Sequence, residues 1–249
     1  MIFPPHSVNL RALPRRLLTY DIAFAGPRNR FTVVSSAGPI IVHNCGYGSG
    51  GDKIRATLRN KAKINLSPEE GVKARDAYRD THPAVVNLWK EGGRMLSALA
   101  GSGVDRQWGP CKIADQRLWL PNGIPLNYET LDYYRGDPEY PSGYWRLRTR
   151  NGWTKMYGAK LVQNLIQALA RVIVTQAMLR IRAHGYRIVN MRHDDLWILI
   201  PRDGREDEHM NICLVEMCRS PAWLPELPLG AEATMGPSYG VGKKFVYGA

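Results

Sequence analysis

The sequence lacks several features that would place it in particular protein classes. None of its apolar runs approaches the ~18 residues that a membrane-spanning helix requires. The start, MIFPPHSVNLRALPRR, has no apolar core of the kind that defines a signal peptide. The four cysteines form no C-x-x-C pair, which argues against a zinc ribbon or a small disulfide scaffold. We therefore expect a cytoplasmic protein that is neither exported nor inserted into a membrane.

Acidic residues are also scarce. The 249 residues contain 22 Asp and Glu against 34 Lys and Arg, which gives a formal net charge of +12. Such an excess is typical of proteins that bind polyanions. The hydrophobic fraction of 44% is enough for a sizeable core, and the length allows one large domain or two unequal ones. The composition predicts a soluble globular protein with a polyanionic partner.

The sequence pattern changes near residue 45. Residues 1–44 contain three short apolar runs, LLTYDIAF, RFTVV and PIIV, separated by Gly, Pro and Ser, which predicts strands without helices. Beyond this point the pattern is mainly helical. The run Ser67-Pro68-Glu69-Glu70 is typical of a helix start at Pro68, and Pro83 is expected to bend or split that helix.

The second half of the chain mixes strands and helices, so the predicted fold class is α+β. The stretch QRLWL-PNG-IPLNY predicts a hairpin around Asn122-Gly123. The stretch KLVQNLIQALARVIVTQAMLRIRAHG predicts the longest helix, which ends at Gly185. The runs YRIVNM and LWILIP predict two strands joined by RHDD, and a last helix is expected at about 206–220.

The RHDD segment places Arg192, His193, Asp194 and Asp195 at the tip of the predicted hairpin. Adjacent carboxylates repel each other, and a divalent cation would relieve that repulsion. The alternative is an ordinary polar turn, where Asp is common. These four residues by themselves favour the turn over a metal site.

Three longer stretches change that balance: YGAKLVQNLIQALARV, GYRIVNMRHDDLWILIP and PAWLPELPLGAEATMGPSYG. In order and spacing they resemble the C-terminal core of family A DNA polymerases of the bacterial repair and phage types. The resemblance covers nearly all of residues 45–249. It implies the end of the polymerase fingers over 45–100 and, over 101–249, a palm with a small antiparallel sheet and flanking helices. It also implies template-directed addition of dNTPs to a primer by a two-metal mechanism with Mg²⁺.

The same resemblance implies roles for individual residues. The family motif His-Asp-Glu corresponds to His193, Asp194 and Asp195, with Asp194 as the Mg²⁺ ligand and Asp195 in place of Glu. The family's earlier Asp-Tyr-Ser metal motif and the cations that grip the triphosphate have no match in this sequence, so an N-terminal partner is expected to supply them. Contacts to primer–template DNA are implied for Tyr47, Lys160, Gln163, Gln167 and Arg171.

The segment TYDIAFAGPRNRFTVVSSAGPIIVHN, followed by Cys45, resembles the C-terminal segment of Hint-type inteins found in phage polymerases. The resemblance implies that the side chain of Asn44 closes a succinimide and cleaves the bond to Cys45, while His43 assists. The resemblance also implies that Cys45 is the nucleophile that takes over the upstream chain, aided by Asp21. We therefore predict that residues 1–44 are a C-terminal split-intein fragment. Without its partner half, this fragment should be extended and poorly packed.

Two other hypotheses remain at this point. Residues 45–249 could be a non-catalytic module that holds primer–template DNA through basic side chains, with residues 1–44 as an inactive intein remnant. Alternatively, the chain could be a gene fragment that starts at an arbitrary point within a longer intein. A neighbouring gene that ends in a Cys-initiated intein half would favour the split polymerase.

Overall fold

A computed structural model of the chain describes residues 6–12, 31–35, 38–42, 48–101, 105–238 and 241–247. Helices and antiparallel strands alternate along these ranges. The elements, in chain order, are β1 (His6–Ala12), β2 (Phe31–Ser35), β3 (Gly38–Val42), α1 (Gly51–Ala62), α2 (Pro68–Thr81), α3 (Pro83–Leu99), β4 (Arg106–Trp108), β5 (Cys111–Ala114), β6 (Arg117–Trp119), β7 (Pro125–Asn127), β8 (Leu131–Tyr134), β9 (Tyr144–Thr149), β10 (Gly152–Met156), α4 (Gly158–Ala183), β11 (Arg187–Arg192), β12 (Asp195–Leu199), α5 (Glu206–Cys218), β13 (Leu229–Ser238) and β14 (Val241–Tyr247).

The chain divides into two compact units. The terminal unit comprises residues 1–27 and 169–249, and the central unit comprises residues 28–168. Helix α4 begins in the central unit and ends in the terminal unit. The predicted boundaries at 44/45 and 100/101 come from family resemblance rather than from compactness, and they stay predictions.

The terminal unit is built on a five-stranded antiparallel sheet in the order β11-β12-β1-β13-β14. Apolar side chains of α4, α5 and the sheet form its core, because the strands alternate buried and less buried positions. The fully or nearly fully buried members include Ala177, Ile181, Leu196, Ile198, Cys213, Leu214 and Met217.

Strand β1 lies in the middle of this sheet, where His6 pairs with Ile198 and Ala12 pairs with Leu229. The expectation of poor packing over residues 1–44 is therefore wrong for this strand. The strands β12 and β13 hydrogen-bond to its backbone on both sides, so it does not need an intein partner for pairing. The predicted strands RFTVV and PIIV are confirmed as the antiparallel pair β2 and β3.

The central unit begins with three helices whose ends follow the predicted sequence rules. The hydroxyl of Ser67 accepts a hydrogen bond from the backbone N–H of Glu70, and the Glu70 carboxylate accepts one from the Ser67 N–H. Pro83 separates α2 from α3, because proline is tolerated in the first turn of a helix but not in its interior. The N-terminus of α4 approaches α3 so closely that a Cβ atom on Gly158 would collide with the carbonyl oxygen of Trp89.

Two small antiparallel sheets complete the central unit. Strands β4 to β7 form a meander, and its β6–β7 hairpin confirms the turn predicted around Asn122-Gly123. Strands β8, β9 and β10 form a second meander that the sequence patterns above did not predict. The described residues thus form a mixed α and β structure with small antiparallel sheets, in agreement with the α+β class. In these ranges, no helix combines the length and the apolar character needed to cross a membrane.

Candidate metal-binding hairpin and polar helix

The β11–β12 hairpin carries the two adjacent carboxylates. Arg192 ends β11 and pairs with Asp195, the first residue of β12, so only His193 and Asp194 form the turn. His193 has a φ of 55°, a left-handed conformation that a two-residue hairpin turn requires. The predicted four-residue tip is therefore a two-residue turn flanked by paired strand residues.

The packing of β12 fixes which way Asp195 faces. Leu196 and Ile198 point into the core of the terminal unit, with exposures of 0% and 1%. Because successive strand residues face opposite sides, Asp195 and Trp197 lie on the other face of the sheet. A one-residue bulge at Val189 in β11 adds a local irregularity beside this hairpin.

The Asp195 carboxyl group sits in an unusual electrostatic environment. Its Oδ1 atom is buried and has no hydrogen-bond partner among the residues that the structure describes. Burial, together with the negative charge of Asp194, raises the pKa of Asp195 to about 6, while Arg192 and His193 act in the opposite direction. A buried carboxylate oxygen without a donor is costly, and a cation would offset that cost.

These features fit a divalent cation. Carboxylate oxygens are the ligands that Mg²⁺ prefers, and Asp194 and Asp195 are the residues that would hold it. Within the described ranges, no group of three or more His, Cys, Asp or Glu side chains is arranged to hold a metal ion. The hairpin therefore offers part of a coordination shell rather than a complete one.

Sequence reasoning missed an acidic residue on the same sheet. In register, Asn9 of β1 pairs with Asp195 on one side and with Glu232 of β13 on the other. Because paired residues share a face, Glu232 and Asp195 belong to the same face, two strands and roughly 10 Å apart. The alternation of Ala231, Glu232 and Ala233 in the sequence, together with the pairing, would have indicated this position.

A polar stripe follows one side of α4. Lys160, Gln163, Asn164 and Gln167 recur at helical spacing, while Leu161 and Val162 are buried. Lys160 Nζ donates a hydrogen bond of 2.9 Å to Thr154 Oγ1. Gln163 is half-buried and Gln167 is exposed. The predicted DNA-contacting residues of the central unit therefore share one helix face.

The stripe borders a cleft of about 380 Å³ in the central unit. Its floor includes Tyr128, whose hydroxyl accepts a hydrogen bond of 3.1 Å from Asn164 Nδ2. Burial raises the pKa of Tyr128, and the bond from Asn164 opposes that rise. Sequence reasoning missed Asn164 and Tyr128, since a bond between residues 36 positions apart leaves no local pattern. The lining residues are Pro125, Leu126, Asn127, Tyr128, Leu147, Asn164 and Gln167.

The remaining arginines of α4 differ in their surroundings. Arg171, four residues after Gln167, is exposed. Arg180 instead contacts the buried Glu216, with 2.9 Å between Arg180 Nε and Glu216 Oε2, and it also donates to the Glu216 backbone carbonyl. Arg180 therefore has a structural role, as expected for a helix that packs on a core.

The residues predicted to perform splicing, and one predicted DNA contact, lie outside the described residues. They are Asp21, His43, Asn44, Cys45 and Tyr47.

No protein-family model matches the chain. Among curated proteins, the chain is similar to the DNA polymerase of Bacillus phage SP02, with 33% identity over 215 residues. The match covers 78% of this chain, and the chain spans only 31% of the length of that relative. The similarity relates most of the chain to part of a phage DNA polymerase.

Proposed function

We propose that this chain is the C-terminal part of a template-directed DNA polymerase of family A type, made as a split-intein precursor. The observation that carries the proposal is the hairpin of Asp194 and Asp195, in which one carboxylate oxygen is buried and finds no donor among the side chains that the structure describes. Similarity to a phage DNA polymerase over most of the chain supports the same conclusion. The net charge of +12 suits a protein that holds DNA.

In this proposal Asp194 is the main Mg²⁺ ligand, and Asp195 and His193 support it from the same hairpin. Bound Mg²⁺ would supply activation of the primer 3′-hydroxyl and neutralisation of the triphosphate. The hairpin keeps the two carboxylates in place, because the core contacts of Leu196 and Ile198 fix the start of β12. The second essential carboxylate is assigned to an N-terminal partner protein.

The polar stripe of α4 is proposed to bind primer–template DNA. Gln163 and Gln167 are amides that can donate hydrogen bonds to DNA, and Arg171 adds a positive charge for phosphates. Lys160 and Asn164 have partners within the protein, so they hold the stripe in position, and Asn164 also lines the cleft. Tyr47 is proposed to contact the template–primer junction.

Splicing is proposed to join this chain to its partner at Asn44 and Cys45. The Asn44 side-chain nitrogen attacks its own carbonyl carbon, which breaks the bond to the Cys45 nitrogen and releases the intein fragment as a succinimide. Before that step, the Cys45 thiolate attacks the thioester that joins the upstream chain to the first Cys of the partner's intein half, and the thiol of that Cys leaves. Cleavage at Asn44 then frees the Cys45 amine, which attacks the new thioester, displaces the Cys45 thiolate and forms the peptide bond. His43 and Asp21 are the proposed helpers in these proton transfers.

Excision of residues 1–44 has a structural consequence. Strand β1 pairs with β12 and β13, so its removal leaves one edge on each of these strands. Exposed strand edges readily pair with another strand. The spliced product must therefore rearrange the sheet that carries the hairpin.

The splicing proposal is tested by mixing the chain with the candidate partner, the polymerase fragment of the same genome that carries a Cys-initiated intein half. Mass spectrometry should show loss of residues 1–44 and ligation at Cys45. Asn44→Ala should stop release of the intein fragment, and Cys45→Ala should stop ligation. Ligated product from the Cys45→Ala variant would contradict the assigned nucleophile.

A non-catalytic role is the second candidate, favoured by the absence of a complete metal-ligand group among the described residues. In that case residues 45–249 hold primer–template DNA and residues 1–44 are inactive. Primer extension with Mg²⁺ by the mixture of chain and partner separates the two functions. Extension that depends on Asp194 supports the polymerase, and DNA binding without extension supports the alternative.

A further inference from the structure

The sheet of β8, β9 and β10 has two different faces. The register pairs Leu131 with Leu147 and Met156 with Trp145, and Leu131 and Met156 are buried, so this side faces the interior of the central unit. The residues that alternate with these along each strand lie on the opposite side. We call that side the aromatic–cationic face, and it consists of Asp132, Tyr134, Tyr144, Arg146, Arg148, Trp153 and Lys155.

Aromatic rings and cations alternate on this face at short distances. The Arg146 guanidinium lies 3.8 Å from the ring centroid of Tyr134 and 4.2 Å from that of Trp153. Lys155 Nζ lies 4.3 Å from the ring centroid of Tyr144, and it also contacts the ring of Tyr140 from the β8–β9 connection. These contacts fix the side chains before any ligand binds, which lowers the entropy cost of binding.

The face remains accessible. Trp153 is 51% exposed and Tyr140 is 40% exposed, although both are large hydrophobic side chains. Arg148 is also exposed, and it pairs across the strands with Trp153. An exposed tryptophan beside an exposed arginine offers a stacking surface and a phosphate contact at one position.

The charge of the face favours a polyanion. On the strands of this face, the only carboxylate is that of Asp132, against the three cations Arg146, Arg148 and Lys155. Asp132 forms an ion pair of 2.9 Å with Arg146. A further carboxylate, Asp137, lies beside the Tyr144 hydroxyl at the β8–β9 end of the face. The positive potential is therefore greatest toward Arg148 and Trp153, away from that end.

We propose that the aromatic–cationic face binds single-stranded DNA, with unpaired bases stacked on Trp153 and the tyrosine rings. Arg146, Arg148 and Lys155 contact the phosphates. Unpaired strands suit such a surface because their bases are free to stack, whereas a duplex hides its base faces. The inference goes beyond the proposed function, because it requires no metal ion, splicing or partner protein.

The test is a fluorescence-anisotropy titration of a labelled 15-nucleotide oligo-dT with the full chain, without Mg²⁺. Trp153→Ala should weaken binding about tenfold, because each stacked base contributes substantially to affinity. Trp153→Phe should bind within about threefold of the unchanged chain, since it keeps a stacking ring. If the Trp153→Ala variant binds oligo-dT as tightly as the unchanged chain does, the proposal is overturned.

The charge contribution is tested with a matched pair of variants. Arg148→Ala should reduce the slope of log affinity against log salt concentration by about 0.7, as expected for one lost phosphate contact on a single strand. Lys73→Ala removes one charge from the exposed side of α2 in the same unit and should leave the slope unchanged. Equal effects of the two substitutions would mean that DNA is attracted non-specifically, and they would overturn the proposed binding site.

The preference for unpaired DNA is tested by competition. A 15-base-pair duplex should compete weakly with the labelled oligo-dT, and competition as strong as that of an unlabelled single strand would also contradict the proposed site.

Discussion

The β11–β12 hairpin and the aromatic–cationic face both display polar chemistry on antiparallel strands, but the surroundings of their charged groups differ. On the hairpin, like charges are adjacent, and one buried carboxylate oxygen has no donor within the described part of the chain. On the aromatic–cationic face, opposite charges and rings satisfy one another at the surface. The first arrangement is the proposed site of a cation, and the second has its side chains held by one another and carries an excess of positive charge. The difference agrees with the two proposals, in which the hairpin takes part in catalysis and the face binds DNA.

The largest expected effect is on primer extension, and it tests the proposed role of the hairpin. Asp194→Asn should reduce primer extension by the reconstituted enzyme at least about a thousandfold, equivalent to about 4 kcal/mol, because it removes a metal ligand at the site of charge development. Trp153→Ala should reduce extension no more than it reduces DNA affinity. A rate near that of the unchanged enzyme in the Asp194→Asn variant would remove the hairpin from the mechanism.

The next effect concerns what holds the terminal unit together. Glu216 is 4% exposed and contacts Arg180, His184 and Arg219. Glu216→Ala should lower the free energy of unfolding by about 3 kcal/mol, since it leaves the guanidinium of Arg180, which is only 25% exposed, without its partner. Glu208→Ala, which removes an exposed carboxylate paired with Arg205, should cost less than about 1 kcal/mol in urea unfolding. Similar losses in the two variants would show that the cluster around Glu216 contributes little.

The same cluster predicts a dependence of stability on pH. Burial acts to raise the pKa of Glu216, but hydrogen bonds from His184 and Arg180 and the charge of Arg219 outweigh it, so the pKa is lowered. A lowered carboxyl pKa stabilises the folded state above the unfolded value of about 4.3, and that stabilisation is lost as the pH falls through the folded pKa. Unfolding measured from pH 6 to pH 3 should show this loss. Glu216→Gln should show a smaller decrease over the same range, and an identical decrease would exclude Glu216 as its source.

The smallest expected effects are on primer–template binding by the polar stripe of α4. Gln167→Ala and Arg171→Ala should each weaken primer–template binding severalfold, as expected for one lost contact of about 1 kcal/mol. Gln176→Ala is the control, because a residue nine positions after Gln167 lies on the other side of the helix. Fluorescence anisotropy with labelled primer–template DNA measures the affinity of each variant. If Gln167→Ala and Gln176→Ala bind alike, the polar stripe is not a DNA contact.

Local sequence rules predicted the elements that depend on neighbouring residues. The capping box at Ser67 and Glu70, the break at Pro83 and the end of α4 before Gly185 each follow from interactions within a few residues. The β11–β12 hairpin was predicted for the same reason, since its strands are joined by two residues. The carboxylates of this hairpin were predicted from the resemblance to polymerases, because the four residues of RHDD alone favour an ordinary turn.

The structural features that the sequence analysis did not predict depend on contacts between distant residues or on a turn that it did not consider. The pairing of β1 with β12 joins residues as distant in sequence as His6 and Ile198, and nothing in HSVNLRA identifies the partners of β1. The burial of the Asp195 oxygen likewise requires the assembled sheet. The β9–β10 hairpin, however, has a local indication in Asn151-Gly152, where Gly152 adopts a φ of 102°. That turn, with the alternation in YWRLRT, could have predicted the sheet and its aromatic–cationic face.

Binding of a divalent cation by the hairpin is measured most directly by titrating Mn²⁺ into the isotope-labelled full chain and following the amide NMR signals. The paramagnetic ion should selectively broaden the signals of Arg192 to Leu196, and Mg²⁺ should reverse the broadening by competition. Asp194→Asn should abolish the effect without shifting signals elsewhere in the terminal unit. Absence of selective broadening in the unchanged chain, or equal broadening in the Asp194→Asn variant, would contradict a metal site at this hairpin.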